Sequence, residues 1–132
     1  MNVLDLHLTS SGGFVKLSNE LQRQRLRLIY YRAEFDAAAD ALGAQYLRVR
    51  LPCIDSTNLQ VATDSDTTYP RSFTGIPILL ENLAVTVREP DLIIDMTGNM
   101  TEEFPYEIIA AGSLANFNSL HLVFEYQAGE IV

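Results

Sequence analysis

Apolar and polar residues alternate along several short segments, and this alternation predicts β-strands. In Leu4–Leu8 the leucines share one face, and Asp5 and His7 share the other. Tyr46–Leu51 alternates in the same way and stops at Pro52. Each segment therefore predicts a strand with one buried face and one solvent-facing side.

The segment near the end of the chain has the most apolar face. Every second residue there is large and apolar: Leu120, Leu122, Phe124 and Tyr126. Burying each such side chain stabilises a fold by about 1.5–3 kcal/mol. We therefore expect this strand to pair centrally within its sheet, beside an early strand.

The segment between residues 18 and 45 fits two structures. Its large apolar residues recur every seven positions: Leu21, Leu28, Phe35 and Leu42. With Ser18 as N-cap and Gly43 as C-cap, one long helix over Leu21–Leu42 is an alternative. The positions between them are polar, however, so the apolar stripe is too thin for a core helix. We favour a strand over Arg25–Phe35 and a short helical turn over Asp36–Leu42.

Further strands are predicted between turn signals. They are Phe14–Leu17, Ile76–Leu80, Leu83–Val87, Leu92–Met96 and Phe104–Ala110. Pro77 indicates an edge strand or the first residues of a strand, and the polar residues from Asp55 to Thr68 indicate a long loop. About eight strands at this spacing predict an all-β sandwich or barrel, in a single domain over residues 1–132.

The chain has 9 basic and 17 acidic residues, hence a net charge of −8. This excess of acid argues against nucleic-acid binding by the overall field. Six of the basic residues lie between Arg23 and Arg50. Part of this basic cluster forms a stripe: Arg23, Arg25, Arg27 and Arg32. The stripe is interpreted as a solvated strand or helix face, with a patch for an acidic partner subunit as the alternative.

The sequence carries only weak indications of a cellular compartment and no apparent membrane-spanning segment. Cys53 is the single cysteine, so no internal disulfide forms, which favours a reducing compartment. We recognise no signal peptide at the start of the chain. No apolar run is long enough to span a bilayer.

His7 and His121 are the only histidines, on the first and last predicted strands. If those strands are adjacent, the two side chains approach each other. A metal site would also need a carboxylate, such as Asp5 or Glu125. Because both histidines lie opposite the leucine-rich faces, a solvent-facing pair is favoured. We expect no bound transition metal and no catalytic residues.

Other chemistry-bearing residues are assigned structural roles. Cys53 has no evident activating neighbour, and Asp64–Asp66 lacks the rest of a calcium loop. Ser11–Gly13 lacks the helix and lysine of a phosphate loop. The carboxylates Glu102, Glu103 and Glu107 and the tyrosines Tyr30, Tyr31 and Tyr69 form no recognisable site. We therefore expect no cofactor and no small-molecule substrate.

The order of these segments resembles a known family. Leu4–Ser10, the strand ending at Phe35, Tyr46–Pro52, Ile76–Ile78 and Leu120–Tyr126 follow one another as in the small single jelly-roll capsid proteins. These are the penton or minor-capsid proteins of tailless icosahedral double-stranded DNA viruses and virophages. The resemblance covers most of the chain as a pattern of strands.

The resemblance implies a single jelly-roll β-sandwich of antiparallel strands and a structural, non-enzymatic protein of the virion. Such a protein is made in the host cytoplasm and assembles with copies of itself and with other capsid proteins. The Asp55–Arg71 loop and the two termini, the Gln127–Val132 tail in particular, are the expected contact regions. A ligand- or carbohydrate-binding β-sandwich module is the alternative. A small α+β enzyme is the third hypothesis, and it requires the long helix over Leu21–Leu42.

Overall fold

Ten β-strands and one α-helix make up the part of the chain that the computed structural model describes, residues 2–16, 24–51, 54–55, 75–96 and 104–127. In chain order they are β1 (Asn2–Leu8), β2 (Gly12–Val15), β3 (Arg25–Phe35), α1 (Ala38–Ala44), β4 (Tyr46–Arg50), β5 (Ile54–Asp55), β6 (Ile76–Leu79), β7 (Val85–Arg88), β8 (Leu92–Met96), β9 (Phe104–Ala110) and β10 (Phe117–Tyr126). All strands but β5 overlap a segment that the sequence predicts as a strand, and β2 does so only at Phe14 and Val15, because it begins at Gly12.

The strands form two antiparallel sheets. The first has six strands in the order β1-β10-β3-β8-β5, with β7 also paired to β3. The second has four strands in the order β2-β9-β4-β6. Buried apolar side chains of both sheets form one core, among them Leu28 and Phe124 from the first and Val49 and Ile78 from the second. The prediction of an all-β sandwich is confirmed.

The strand pairs are nested along the chain. β1 pairs with β10, β2 with β9, β3 with β7 and β8, and β4 with β6. Each pair lies within the segment of chain that the pair before it encloses. Three further pairs complete the two sheets: β10 with β3, β9 with β4, and β5 with β8. Consecutive strands therefore lie in alternate sheets, except for the neighbours β7 and β8.

β10 lies between β1 and β3, as the apolar row predicts. All four residues of that row are buried. Leu120 and Leu122 stand opposite Leu8 and Leu6 of β1, so leucines from neighbouring strands pack on the same face of the sheet. The strand begins at Phe117, before its predicted start at Leu120.

One extra residue in β3 explains the seven-residue spacing. Leu28 and Phe35 are both buried, although an odd spacing in a regular strand places residues on opposite faces. Successive residues of β10 pair with Leu28 and Tyr30, which leaves Ile29 unpaired in that ladder. This β-bulge shifts the alternation of β3 by one position, so that Leu28 and Phe35 both face the core. The alternative of one helix over Leu21–Leu42 is therefore wrong.

Helix α1 begins two residues after the start of the predicted turn at Asp36–Leu42. Its Ala41 and Ala44 are completely buried, so the alanines leave room for the helix to pack closely on the core. The helix ends at Gln45, which has a φ of 69° and donates its backbone N–H to the Ala41 carbonyl over 3.1 Å. Gly43 lies inside the helix, so its assignment as C-cap is wrong.

The remaining expectations concern Pro77 and the predicted contact regions. Pro77 lies on β6, which ends the second sheet, so the predicted edge position is confirmed. The predicted Asp55–Arg71 loop lies outside the described residues apart from Asp55, which pairs with Asp95 in β8. Of the Gln127–Val132 tail, the structure describes Gln127 alone.

Replacing the central aromatic of β10 tests its position in the sheet. We expect Phe124→Ala to lower the free energy of unfolding by about 3–5 kcal/mol, because a buried ring leaves a cavity. Phe124 is 1% exposed, whereas Phe14, the matched control, is 68% exposed. We expect Phe14→Ala to change stability by less than about 0.5 kcal/mol. Urea denaturation measures both values, and equal losses would contradict the central position of β10.

Gly43 in α1 and Gly112, which follows β9 and approaches the end of the helix, make a second matched pair. A side chain on Gly112 would overlap the Gly43 carbonyl oxygen, whereas a Cβ on Gly43 meets no atom within 4 Å. We expect Gly112→Ala to destabilise the fold by about 1–3 kcal/mol, as overpacking does. Gly43→Ala should stabilise it by about 0.5–1 kcal/mol through the unfolded chain. Thermal unfolding of both variants checks the opposite signs, and a neutral Gly112→Ala would contradict the close approach.

Candidate functional site

Three side chains with metal-binding donor atoms meet on the outer face of the β1–β10 pair. His7 stands directly opposite His121 in the antiparallel register. Asp5 precedes His7 by two residues, so both project from the same side of β1. These three residues are called the Asp5–His7–His121 cluster. Both strands belong to the regular ladder, which fixes the three Cα positions without a loop.

The donor atoms of the Asp5–His7–His121 cluster lie close together. The two imidazole rings have centroids 4.0 Å apart and are tilted by 31°. His121 donates a hydrogen bond from Nε2 to Asp5 Oδ1. His7 Nε2 lies 3.9 Å from the same oxygen. One donor atom from each residue lies within 4.8 Å of the others. Asp5 and His7 are exposed and His121 is half-buried, so solvent and ions reach the cluster.

Two β3 residues border the Asp5–His7–His121 cluster. Tyr30 contacts His121 edge to face, with ring centroids 5.7 Å apart. Arg32 is the register partner of His121 on the side away from His7. Tyr30 thus covers one side of the His121 ring, and Arg32 places a positive charge beside the cluster.

The sequence anticipates part of this arrangement. The approach of His7 to His121 is confirmed, because β1 and β10 are adjacent. Of the two carboxylates considered as partners, Asp5 is in contact and Glu125 is not. Glu125 pairs with Val3 on one side and with Arg27 on the other, farther along the strands. The choice between the two carboxylates required the register.

Two basic residues of β3, Arg25 and Arg27, are paired with acids. Arg25 Nε lies 2.9 Å from Asp95 Oδ1, and Arg27 Nε lies 3.2 Å from Asp91 Oδ1. Exposed pairs of this kind contribute about 0–1 kcal/mol each. They also interrupt the positive stripe, which agrees with a solvated strand face. Arg23 lies outside the described residues.

The remaining sequence candidates fall into two groups. Glu107 is exposed on β9, 3.9 Å from Arg50, and Ser11–Gly13 leads into strand β2. Several other candidates lie outside the described residues: Cys53, Asp64–Asp66, Tyr69, Glu102 and Glu103.

A cavity of about 390 Å³ between the sheets was missed by sequence reasoning. Tyr31, Pro77, Leu79 and the loop Arg88–Leu92 line it. The Tyr31 hydroxyl donates to the Leu79 carbonyl over 2.9 Å and accepts from its N–H over 3.0 Å. This bond connects β3 of one sheet to β6 of the other. The residues are far apart in sequence, so no local pattern indicates the cavity.

Comparison of the chain with protein-family models, with curated proteins and with solved structures finds no match. Among the described residues, no helix has the length and apolar character needed to cross a membrane. Any functional assignment therefore depends on the fold, the surface and the cluster themselves.

Removing both histidines tests whether the fold depends on the Asp5–His7–His121 cluster. We expect the His7→Ala, His121→Ala double variant to keep its far-ultraviolet spectrum and to lose less than about 1 kcal/mol of stability. The reason is that the two rings pack on the outer face, away from the leucine core. Chemical denaturation measures the loss. An unfolded double variant would assign the two rings a structural role.

Proposed function

We propose that this chain is a structural, non-enzymatic subunit of a protein shell, a capsid protein of the penton or minor-capsid type. It is made in the host cytoplasm and resides in the virion. The observation that supports this proposal is the strand order of the two sheets. The resemblance noted in the sequence rests on the same pattern of strands and agrees with the proposal.

The strand order fits a jelly roll when β7 and β8 are counted as one position and the two-residue β5 is left out. The first sheet then has the order β1-β10-β3-β8, and the second has β2-β9-β4-β6. A jelly roll is two sheets built from two Greek keys. Its chain follows one long hairpin folded over itself, and the nested pairs of this chain fit that path. Viral capsid proteins are one of the classes that use this architecture.

Fold alone does not imply function, and the edges of the sheets favour the assembly role. β1 and β2 each end a sheet and are joined by the short segment 9–11. Val3 on β1 is 62% exposed, and Phe14 on β2 is 68% exposed. Edge strands of monomers are protected from pairing with another chain by charged residues, above all lysine, by proline or by short length. Of these devices the edge has Asp5 on β1 and the short length of β2, and neither strand contains lysine or proline. The longer strand β1 therefore suits contact with a second copy.

The net charge of the chain makes its assembly depend on the salt concentration. Copies with a net charge of −8 repel one another at low ionic strength. At about 0.5 M salt the Debye length falls to roughly 4 Å, and this repulsion is largely screened. Assembly through the apolar β1–β2 edge should therefore strengthen with salt.

Light scattering at high protein concentration tests the shell proposal. We expect species larger than the monomer, and more of them at about 0.5 M salt, where charges are screened. Phe14→Asp should shift the distribution towards the monomer, because it places a charge on the edge. Leu42→Asp is the matched control, since Leu42 is 59% exposed on helix α1.

A strict monomer under both salt conditions would contradict the shell proposal. Equal effects of Phe14→Asp and Leu42→Asp would contradict the role of the β1–β2 edge. Electron microscopy of the larger species distinguishes closed particles from amorphous aggregates, and only closed or symmetric particles support a shell.

The cavity lined by Tyr31 favours the second candidate function, a ligand- or carbohydrate-binding module. Its volume of about 390 Å³ lies in the range of small-molecule sites. Pro77 and Leu79 provide apolar contact, and Arg88 and Asp91 provide charged groups at the rim. A glycan array separates the two functions. A strictly monomeric protein whose glycan binding is lost in Arg88→Ala would establish the binding module instead.

A further inference from the structure

We propose that Asp5, His7 and His121 form a binding site for a zinc-class divalent metal ion on the outer face of the first sheet. This inference is independent of the shell function. The sequence favoured no metal here, because both histidines lie opposite the leucine-rich faces and the spacing did not select between Asp5 and Glu125 as the carboxylate. The register supplies that carboxylate and brings the three donors together.

The donor set suits zinc chemically. Zinc binds imidazole nitrogen and carboxylate oxygen at about 2.0–2.2 Å, with three protein ligands and a water in its open sites. Two such ligands on a tetrahedral ion lie about 3.3 Å apart. His7 Nε2 and Asp5 Oδ1 are 3.9 Å apart, and all three donors fall within 4.8 Å. Zinc would replace the hydrogen bond between His121 Nε2 and Asp5 Oδ1, and the proton on Nε2 would pass to solvent. Small side-chain rotations then close the site around the ion.

The backbone holds the three ligands in place before the ion binds. His7 and His121 are direct partners in the ladder, and Asp5 is on the same face of the same strand as His7. β10 is in turn hydrogen-bonded to β3 on its other side. The ordering cost of binding is therefore restricted to side-chain rotations. A site built from mobile loops would require a larger cost.

Charge and donor type set the selectivity of the site. Asp5 supplies one negative charge, and the acidic chain attracts cations. Arg32, opposite His121, opposes binding and limits the affinity. Imidazole donors favour Zn²⁺, Ni²⁺ and Cu²⁺, whereas Mg²⁺ and Ca²⁺ prefer an all-oxygen set. Magnesium and calcium are therefore the negative controls.

Zinc bound at this site connects β1 to β10 through side chains. An ion that binds the folded state and not the unfolded chain raises the unfolding temperature. We expect a saturable rise in melting temperature with zinc chloride and none with magnesium chloride. The site has at least one position open to water, since the chain provides three ligands.

Calorimetric titration with zinc chloride tests the proposal. It uses the full chain without a histidine tag, because a tag would itself bind zinc. We expect about one equivalent of zinc per chain. We expect three variants to weaken binding at least about tenfold each: Asp5→Asn, His7→Ala and His121→Ala. Loss of a residue that only supports a ligand already lowers metal affinity by about that factor, and these three residues are the ligands themselves. Glu125→Gln is the matched control, because it removes a carboxylate from the same face outside the Asp5–His7–His121 cluster.

Nuclear magnetic resonance gives a readout that needs no variant. The chain has only two histidines, so both imidazoles are observed directly. Zinc should shift the signals of both rings together, with saturation at the calorimetric stoichiometry. No shift of either ring, a shift of one alone, or equal weakening by Glu125→Gln and Asp5→Asn would overturn the site. A monomeric protein that still binds zinc in this way would contradict only the shell function.

Discussion

The position of β10 is the constraint on which the larger sheet depends. Its backbone is hydrogen-bonded to β1 on one side and to β3 on the other. Its inner face places Leu120, Leu122 and Phe124 in the core, and its outer face places His121 beside His7. Without this strand, β1 would have no partner among the described residues. The first sheet's share of the core, the edge at β1 and the Asp5–His7–His121 cluster all follow from one central pairing.

Alternation along the chain was sufficient to predict most strands, because each has one buried face. The difficult case was β3, where apolar residues at Leu28 and Phe35 suggested a helical period. A bulge at Ile29 produces that spacing within a strand. Bulges are set by the pairing partner, which a single sequence does not reveal. The richness of the segment in β-formers, including Tyr30 and Tyr31, was the better guide.

The candidate sites were less accessible from sequence, because each depends on residues distant in the chain. The approach of His7 to His121 followed only if the first and last strands were neighbours. The selection of Asp5 over Glu125 depended on a register that local patterns do not determine. The cavity beside Tyr31 required the packing distance between two sheets. The sequence therefore showed which residue types could bind a ligand. It did not show which of them lie close together in the fold.

The nested pairing has a consequence for how the chain reaches its fold. Asp5 and His121, partners across β1 and β10, are 116 residues apart, and β4 and β6 form the innermost pair. Domains dominated by such long-range pairings have high contact order and fold slowly, in milliseconds to seconds. During synthesis, β1 and β3 emerge long before the strand that separates them in the finished sheet. Until β10 leaves the ribosome, both strands have open edges, and the nascent chain is at its most prone to aggregate.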